Sequence, residues 1–261
     1  MHGLYASLVL LFALMSTTSS AKLDPTWPKN INISEITPLF DFDQDSCYPS
    51  IAFDRHGEQS GGLKPTGPLT GGCRPHNFLD NSNTYHRYAC MKDSNVTYCG
   101  HMFTLYFQKD QVMPFFSLFG HRHDFEEVIV WTIDGNVTHG SASAHGRSRT
   151  KRAEKIPREG QHLKFVYHKE GLFTHSMRFA MKKDVETENS YGAFVLPPLV
   201  SWYTMQGDGP IDNQELRGRF NRCTFGGAHQ PGLDGDFVRN LNEARPYDYP
   251  EFTEKSMSMS K

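Results

Sequence analysis

Residues 84–107 read TYHRYACMKDSNVTYCGHMFTLYF, and this stretch decides the fold class. Tyr85, Arg87 and Ala89 alternate with His86, Tyr88 and Cys90, which is the two-residue period of a strand. Lys92-Asp93-Ser94-Asn95 is turn chemistry, and the run after it is dense in β-branched and aromatic residues. The pattern predicts a long hairpin with Asn95 at its tip. Cys90 and Cys99 flank the turn, so they either cross-link the two strands or stand as two buried thiols. A secreted hairpin favours the bridge.

Working outward, residues 125–133 (FEEVIVWTI) form another strand pattern, closed by the turn signal Asp134-Gly135-Asn136. Residues 162–167 and 174–181 suggest two more strands joined across Lys169-Glu170-Gly171. Residues 31–42, broken by Pro38, read as strand or coil. Helix signals come late. Asp212 and Glu215 make a capping box, with Leu216 and Phe220 sharing a face, and Asp236 can cap a second short helix carrying Phe237, Val238 and Leu241. Strands dominate and no linker divides the chain. The prediction is one mainly β domain with peripheral helices.

The 261 residues, 38% hydrophobic and 13% aromatic, suffice to bury a core and exclude a disordered chain. Twenty-seven basic and twenty-nine acidic residues leave no global basic field for nucleic acid. Residues 4–15 (LYASLVLLFALM) are apolar except for Ser7, too short for a span, and a small-residue stretch follows to Ala21. Residues 1–21 therefore read as a secretory signal peptide. Sequons at Asn32, Asn95 and Asn136 and five cysteines in the mature chain agree with export. Residues 22–46 read as an extended lead-in, 47–255 as the domain, and 256–261 (SMSMSK) as a frayed tail.

Between Cys47 and Cys73, residues 57–72 (GEQSGGLKPTGPLTGG) hold six glycines and two prolines. A bridge there closes a loop of about 25 residues, worth on the order of 3–4 kcal/mol in the chain-entropy model. Such a loop has little apolar side chain to hold it. Cys223 is then the odd thiol, read as a small core residue.

The densest polar cluster is GHRHDFEE, residues 120–127. Strand alternation puts Asp124 and Glu126 on one face above Val128 and Val130. Phe125, Glu127, Ile129 and Trp131 take the other. Adjacent carboxylates repel unless protonated or bridged by a cation, and His121 in the preceding turn can close on the same ion. A carboxylate-rich set with few imidazoles favours Mg²⁺ or Ca²⁺. A solvated charged turn, with Arg122 paired to a carboxylate, accounts for the same residues equally well. A third reading takes His121, His123 and Glu127 on one strand face, with Gly135 beyond, as resembling the first metal motif of cupin enzymes. That pattern needs a Pro-Gly turn before a downstream His, and neither His139 nor His145 has one. Motifs for nucleophilic catalysis (G-x-S-x-G, H-E-x-x-H, C-x-x-C) are missing from the sequence.

GHRHDFE, residues 120–126, differs at one position from GHRHDWE, the hallmark of necrosis- and ethylene-inducing peptide 1-like proteins. SGGLKPTG at residues 60–67, YFQKD at residues 106–110 against the family's YFPKD, and S-x-S-A-H at residues 141–145 extend the resemblance. Trp202 and residues 235–238 correspond loosely to a late Trp and a terminal helix. The likeness runs from about Cys47 to the end of the chain and points to an oomycete or fungal member. It implies a β-sandwich similar to actinoporins and fungal lectins. It also implies a secreted effector, not an enzyme, that is a monomer in solution. Such a protein binds glycosylinositol phosphorylceramide head groups at the host plasma membrane through a divalent cation, Mg²⁺ or Ca²⁺. Carried over by motif, the cation ligands are Asp110, His121, Asp124 and Glu126, with His123, Phe125 and His175 supporting the cavity.

Three departures from the family pattern stand out. Phe125 replaces the hallmark Trp and loses its indole N–H. Gly171 stands four residues before His175, where cytolytic members carry an exposed Trp. Alternation back from His175 places Phe173 toward the cavity. The basic stretch RSRTKRAEKIPR, residues 147–158, reads as a solvated loop. These departures lean toward the family's non-cytotoxic members.

Overall fold

A computed structural model of the chain describes residues 22–115 and 120–261. The expected leader, residues 1–21, lies outside the described residues. Ten strands run in the order β1 (Leu39–Phe42), β2 (Thr84–Asp93), β3 (Val96–Asp110), β4 (His121–Ile133), β5 (Asn136–Ala144), β6 (Arg147–Arg152), β7 (Arg158–Glu159), β8 (His162–Lys169), β9 (His175–Phe179) and β10 (Leu199–Ser201). Two α-helices follow, α1 (Asn213–Arg222) and α2 (Phe237–Ala244). The fold is mainly β, in two sheets. One is six-stranded, ordered β10-β2-β3-β4-β5-β6; the other has four strands, with β8 paired to β1, β7 and β9.

The hairpin of residues 84–107 is β2 and β3, in a register that sets Cys90 opposite Cys99. Those two cysteines form one disulfide, Cys47 and Cys73 form the other, and Cys223 is a free, half-buried thiol. The long β3 carries on to Asp110 and pairs with β4 along nearly its whole length.

The period-2 pattern of β4 decides what each face meets. Val128 and Val130 point between the sheets, where they pack with Phe103 and Phe107 of β3 and Phe165 and Tyr167 of β8. Ile129 and Trp131 point outward and are covered by Phe237 and Leu241 of α2. Farther along the same outer face, Tyr85, Tyr106 and Phe125 pack under Leu216 and Phe220 of α1. Asp212 caps α1 by accepting the Glu215 N–H at 2.8 Å, but the expected capping box is only half made: the Glu215 carboxylate accepts from Arg219 at 2.7 Å and the Asp212 N–H goes to the Pro210 carbonyl.

Several expectations change. Asp236 precedes α2 but makes no cap hydrogen bond; its carboxylate is taken by Arg239 and His229. The lead-in is part of the body: Ile33, Ile36, Phe40 and Phe42 belong to the inter-sheet core, and β1 pairs with β8 in parallel. The tail is not frayed. Residues Glu254–Met259 form a 3-10 helix, and Met257 is buried with Trp131 and Phe252. Met257, apolar in an otherwise polar stretch, finds a ready-made site on the outer sheet face. The basic stretch of residues 147–158 is not a solvated loop either. Its first half is β6, the terminal strand of the larger sheet, entered through a tight turn at His145 and Gly146 with φ of 51° and 74°.

Candidate functional site

Asp110 closes β3 and His121 opens β4, and the antiparallel register sets them opposite each other. Asp124 follows on β4. The chain between is not a regular strand. His123 has a φ of 63°, in the left-handed region, and Gln108 is skipped in the pairing between Phe107–Asp124 and Lys109–Arg122. This irregularity breaks alternation, so His121 falls on the side of Asp124 while His123 turns away. The His123 Nδ1 lies 2.7 Å from the Tyr106 hydroxyl, and its ring packs edge-on to Phe225. The cupin reading fails on this geometry, because His121 and His123 do not share a face.

Asp110, His121 and Asp124 offer ligand atoms that all lie within 4.8 Å of one another. The Nδ1 of His121 is 2.6 Å from the carbonyl oxygen of His123. A carbonyl only accepts, so Nδ1 carries the proton and Nε2 keeps its lone pair for a ligand. Glu126 lies on the same strand face, but its carboxylate accepts from the Ser143 hydroxyl and stands outside that group of three. Asp124 accepts from the Tyr167 hydroxyl at 2.8 Å, and Tyr167 stacks on Phe107. His175, on β9, donates its backbone N–H to Asp110 at 2.8 Å, and its Nδ1 is 2.6 Å from the other Asp110 oxygen. The Nε2 of His175 lies 3.6 Å from Asp45.

Burial first, and the neighbouring Asp110 second, push Asp124 up to about 7. Burial and then Asp124 hold Glu126 well above the usual carboxylate range. Burial works to lower His175, but its bonds to Asp110 and Asp45 outweigh that and bring it to about 9. His175 is therefore an imidazolium that orients Asp110 and has no lone pair to give a metal. What the arrangement asks for is positive charge beside Asp124. Two carboxylates and one imidazole in a cleft open to water suit a hard divalent ion that completes its shell with water. The residues present fit such an ion.

The Gly-rich loop holds this arrangement from outside. Arg122 donates to the Gly61 carbonyl at 2.8 Å, and buried Lys109 donates to the Pro68 carbonyl at 2.9 Å. Gly62 has a φ of 59°, and a Cβ there would sit 2.7 Å from the His123 ring. Gly120 is equally constrained, since a Cβ would come within 2.6 Å of the Asp110 carbonyl oxygen. Phe125 faces the other way and packs on Phe225 and Tyr106 with ring centroids 4.8 and 5.1 Å apart. Its role is aromatic bulk, which Phe supplies as Trp would.

A cleft of about 450 Å³ opens beside the carboxylates, between Glu127, His145, His175 and His229. The β8–β9 turn projects Leu172 and Phe173, 85% and 68% exposed, and the Phe173 ring lies 5.7 Å from that of His145 in the cleft wall. Phe173 does not point into the cavity as expected, because β9 begins only at His175 and alternation stops there. Sequence reading also missed Tyr167, Asp45 and Ser143. Ser143 lay within the S-x-S-A-H motif; the other two carried no local signal.

A mainly β body of two sheets, with a buried acidic cleft at one end of its longest strand pair, is the class of protein defined by this fold and site. The sequence model of the necrosis inducing protein (NPP1) family matches residues 32–244, and the chain belongs to that family. It is 34% identical over 209 residues to NLP effector protein 2 of Phytophthora capsici, covering 78% of this chain and 74% of that protein. It is 28% identical over 235 residues to the necrosis-inducing protein NPP1 of Phytophthora nicotianae, covering 88% and 84%. Among solved structures it resembles one described as "Toxin fold as basis for microbial attack and plant defense", with a TM-score of 0.66 and 27% identity over 85% of this chain and 96% of that one. It also resembles NLPPya in complex with mannosamine, with a TM-score of 0.64 and 26% identity over the same shares. The family is one of necrosis-inducing effectors of plant pathogens and is not a known enzyme family.

Proposed function

We propose that this chain is a secreted, non-enzymatic effector whose acidic cleft holds Mg²⁺ or Ca²⁺ and, through it, the sugar of a plant glycosylinositol phosphorylceramide head group. The observation that carries the reading is the convergence of Asp110, His121 and Asp124, with Glu126 behind them, in a site where burial penalises negative charge. The oxygen-rich donor set selects a hard ion. The adjoining cleft has room for one or two sugar rings, and a relative in this fold binds mannosamine. Secretion rests on the expected leader, the two disulfides, and three sequons whose asparagines, Asn32, Asn95 and Asn136, are all exposed and able to carry glycans. We read the two-sheet body as a β-sandwich of the actinoporin and fungal-lectin kind, monomeric in solution.

Leu172 and Phe173 give the cleft an apolar rim that meets the bilayer once a head group is held. A second reading, head-group binding without membrane damage, is favoured by Gly171, which brings no apolar area to that rim. Dye release from vesicles containing plant sphingolipid decides between them. Release that falls at least fivefold in Leu172→Ser/Phe173→Ser supports damage through the rim. Binding without release supports the second reading. Calorimetry that shows no Mg²⁺ or Ca²⁺ binding to the folded protein rejects both.

A further inference from the structure

Among the described residues lies a recess larger than the acidic cleft. A recess of about 880 Å³ opens between β6, the last strand of the six-stranded sheet, and β9, which pairs only with β8. Its floor is apolar, built from Ile156, Met177, Phe179 and Phe194. Its walls carry six basic residues against three acidic ones. The two arginines are already neutralised: Arg149 pairs with Glu170 at 3.1 Å, and Arg178 with Asp184 at 2.5 Å. Lys164 pairs with Glu159 at 2.5 Å. Lys151, Lys155 and Lys182 have no carboxylate partner among the described residues, and all three are exposed. Burial and Arg178 push His168 down to about 4, so the recess holds a neutral imidazole and three ammonium groups without a carboxylate, of which Lys151 lies 4.7 Å over the Phe179 ring.

A second recess of about 410 Å³ lies on the other face of β6, where Thr150 bonds the Ala244 carbonyl of α2. It shares Lys151 and Lys155 with the first and adds Arg152, Arg245 and Tyr247, the last 87% exposed. The positive surface thus runs from one recess, over the ridge of residues 151–155, into the next.

We propose that this double recess is a binding site for a linear acidic polysaccharide, one carrying a carboxylate on successive sugars. Three features select that ligand. In the first recess the cations left without a carboxylate are lysines, which serve as point charges for well-separated, hydrated anions, whereas a single phosphate is best gripped by arginine forks, and both arginines of that recess are occupied. The charge lines two concave recesses on opposite faces of one strand; a flexible chain can cross the ridge between them, and a flat bilayer cannot enter both. The exposed Tyr247 ring and the apolar floor supply surfaces for the C–H faces of sugar rings. The site is separate from the acidic cleft and would bind its ligand without a divalent ion.

The test is binding of polygalacturonate oligomers to the purified protein in chelator and low salt, with the methyl-esterified oligomer and phosphatidylserine vesicles as parallel probes. Lys151→Gln/Lys155→Gln/Lys182→Gln is expected to weaken polygalacturonate binding about tenfold or more, and salt to weaken wild-type binding likewise. Lys255→Gln, outside both recesses, should leave it unchanged. Should the triple variant unfold, Lys155→Gln alone, at an exposed position, should still lower affinity about threefold. Undiminished affinity in the folded variants, equal binding of the methyl ester, or binding to vesicles alone would overturn the proposal. So would variants that keep their affinity and self-associate, because the lysines would then only blunt two strand edges.

Discussion

Asp124→Asn should make the cation-free protein more stable at pH 8 and, at the same time, deaf to divalent ions. Asp124 is buried, accepts one hydrogen bond from Tyr167, and titrates near 7 against an ordinary 3.8. A carboxyl raised on folding keeps its full stability only below the unfolded value, and that stability is lost as pH rises through the folded one. At about 1.4 kcal/mol per pH unit, three units make the ionised group a burden of about 4 kcal/mol at pH 8, reduced to roughly 2–4 by relaxation and water. Asparagine keeps the shape and an oxygen for Tyr167, and it carries no charge. Urea denaturation in chelator, from pH 5 to 9, should show wild type losing stability up to about pH 7 and the variant losing less. Saturating Mg²⁺ or Ca²⁺, at about a hundred times Kd, should return about 2.7 kcal/mol to wild type. The variant should gain almost nothing. If the variant in chelator is the less stable protein at pH 8, or responds to the ion as wild type does, the account of the cleft is wrong.

Two further outcomes follow from the loop that braces the site. Gly62→Ala should destabilise by about 1–3 kcal/mol, since it puts a Cβ at positive φ against the His123 ring; thermal unfolding gives the loss, and weakened cation binding in the folded fraction shows that the brace reaches Asp124. Cys47→Ser/Cys73→Ser should cost on the order of 3–4 kcal/mol and leave the Cys90–Cys99 bridge in place, which denaturation and non-reducing peptide mapping would read together.

The hairpin of residues 84–107 was legible because its signals are local: a two-residue period and a polar turn. So were the two carboxylates of β4 and the cap of α1. His123 was not, since alternation assumes a regular strand and nothing in GHRHDFE announces a left-handed residue. Tyr167, 43 residues from Asp124, and Asp45, beside His175, enter the site only through sheet packing. Asp110 and His175 came from motif likeness and not from spacing, because the contact between them spans 65 residues. The tail misled for the opposite reason: a polar, repetitive composition hid one methionine with a place to go.

Both sheets are completed by parallel pairings between distant parts of the chain. β1 joins β8, whose neighbouring residues Thr37 and His162 are 125 apart, and β10 joins β2, where His86 meets Ser201 across 115. Until synthesis has passed Ser201, the β2 edge has no partner and the body has no stable closed form. Such topology folds slowly, since each pairing must first close a long loop. A chain so built stays loose while it is being made, which suits the export proposed above, since a translocation channel takes a polypeptide before it has its shape. The same delay leaves the apolar strands β3 and β4 uncovered in the meantime, so the yield of refolding from denaturant should fall as protein concentration rises.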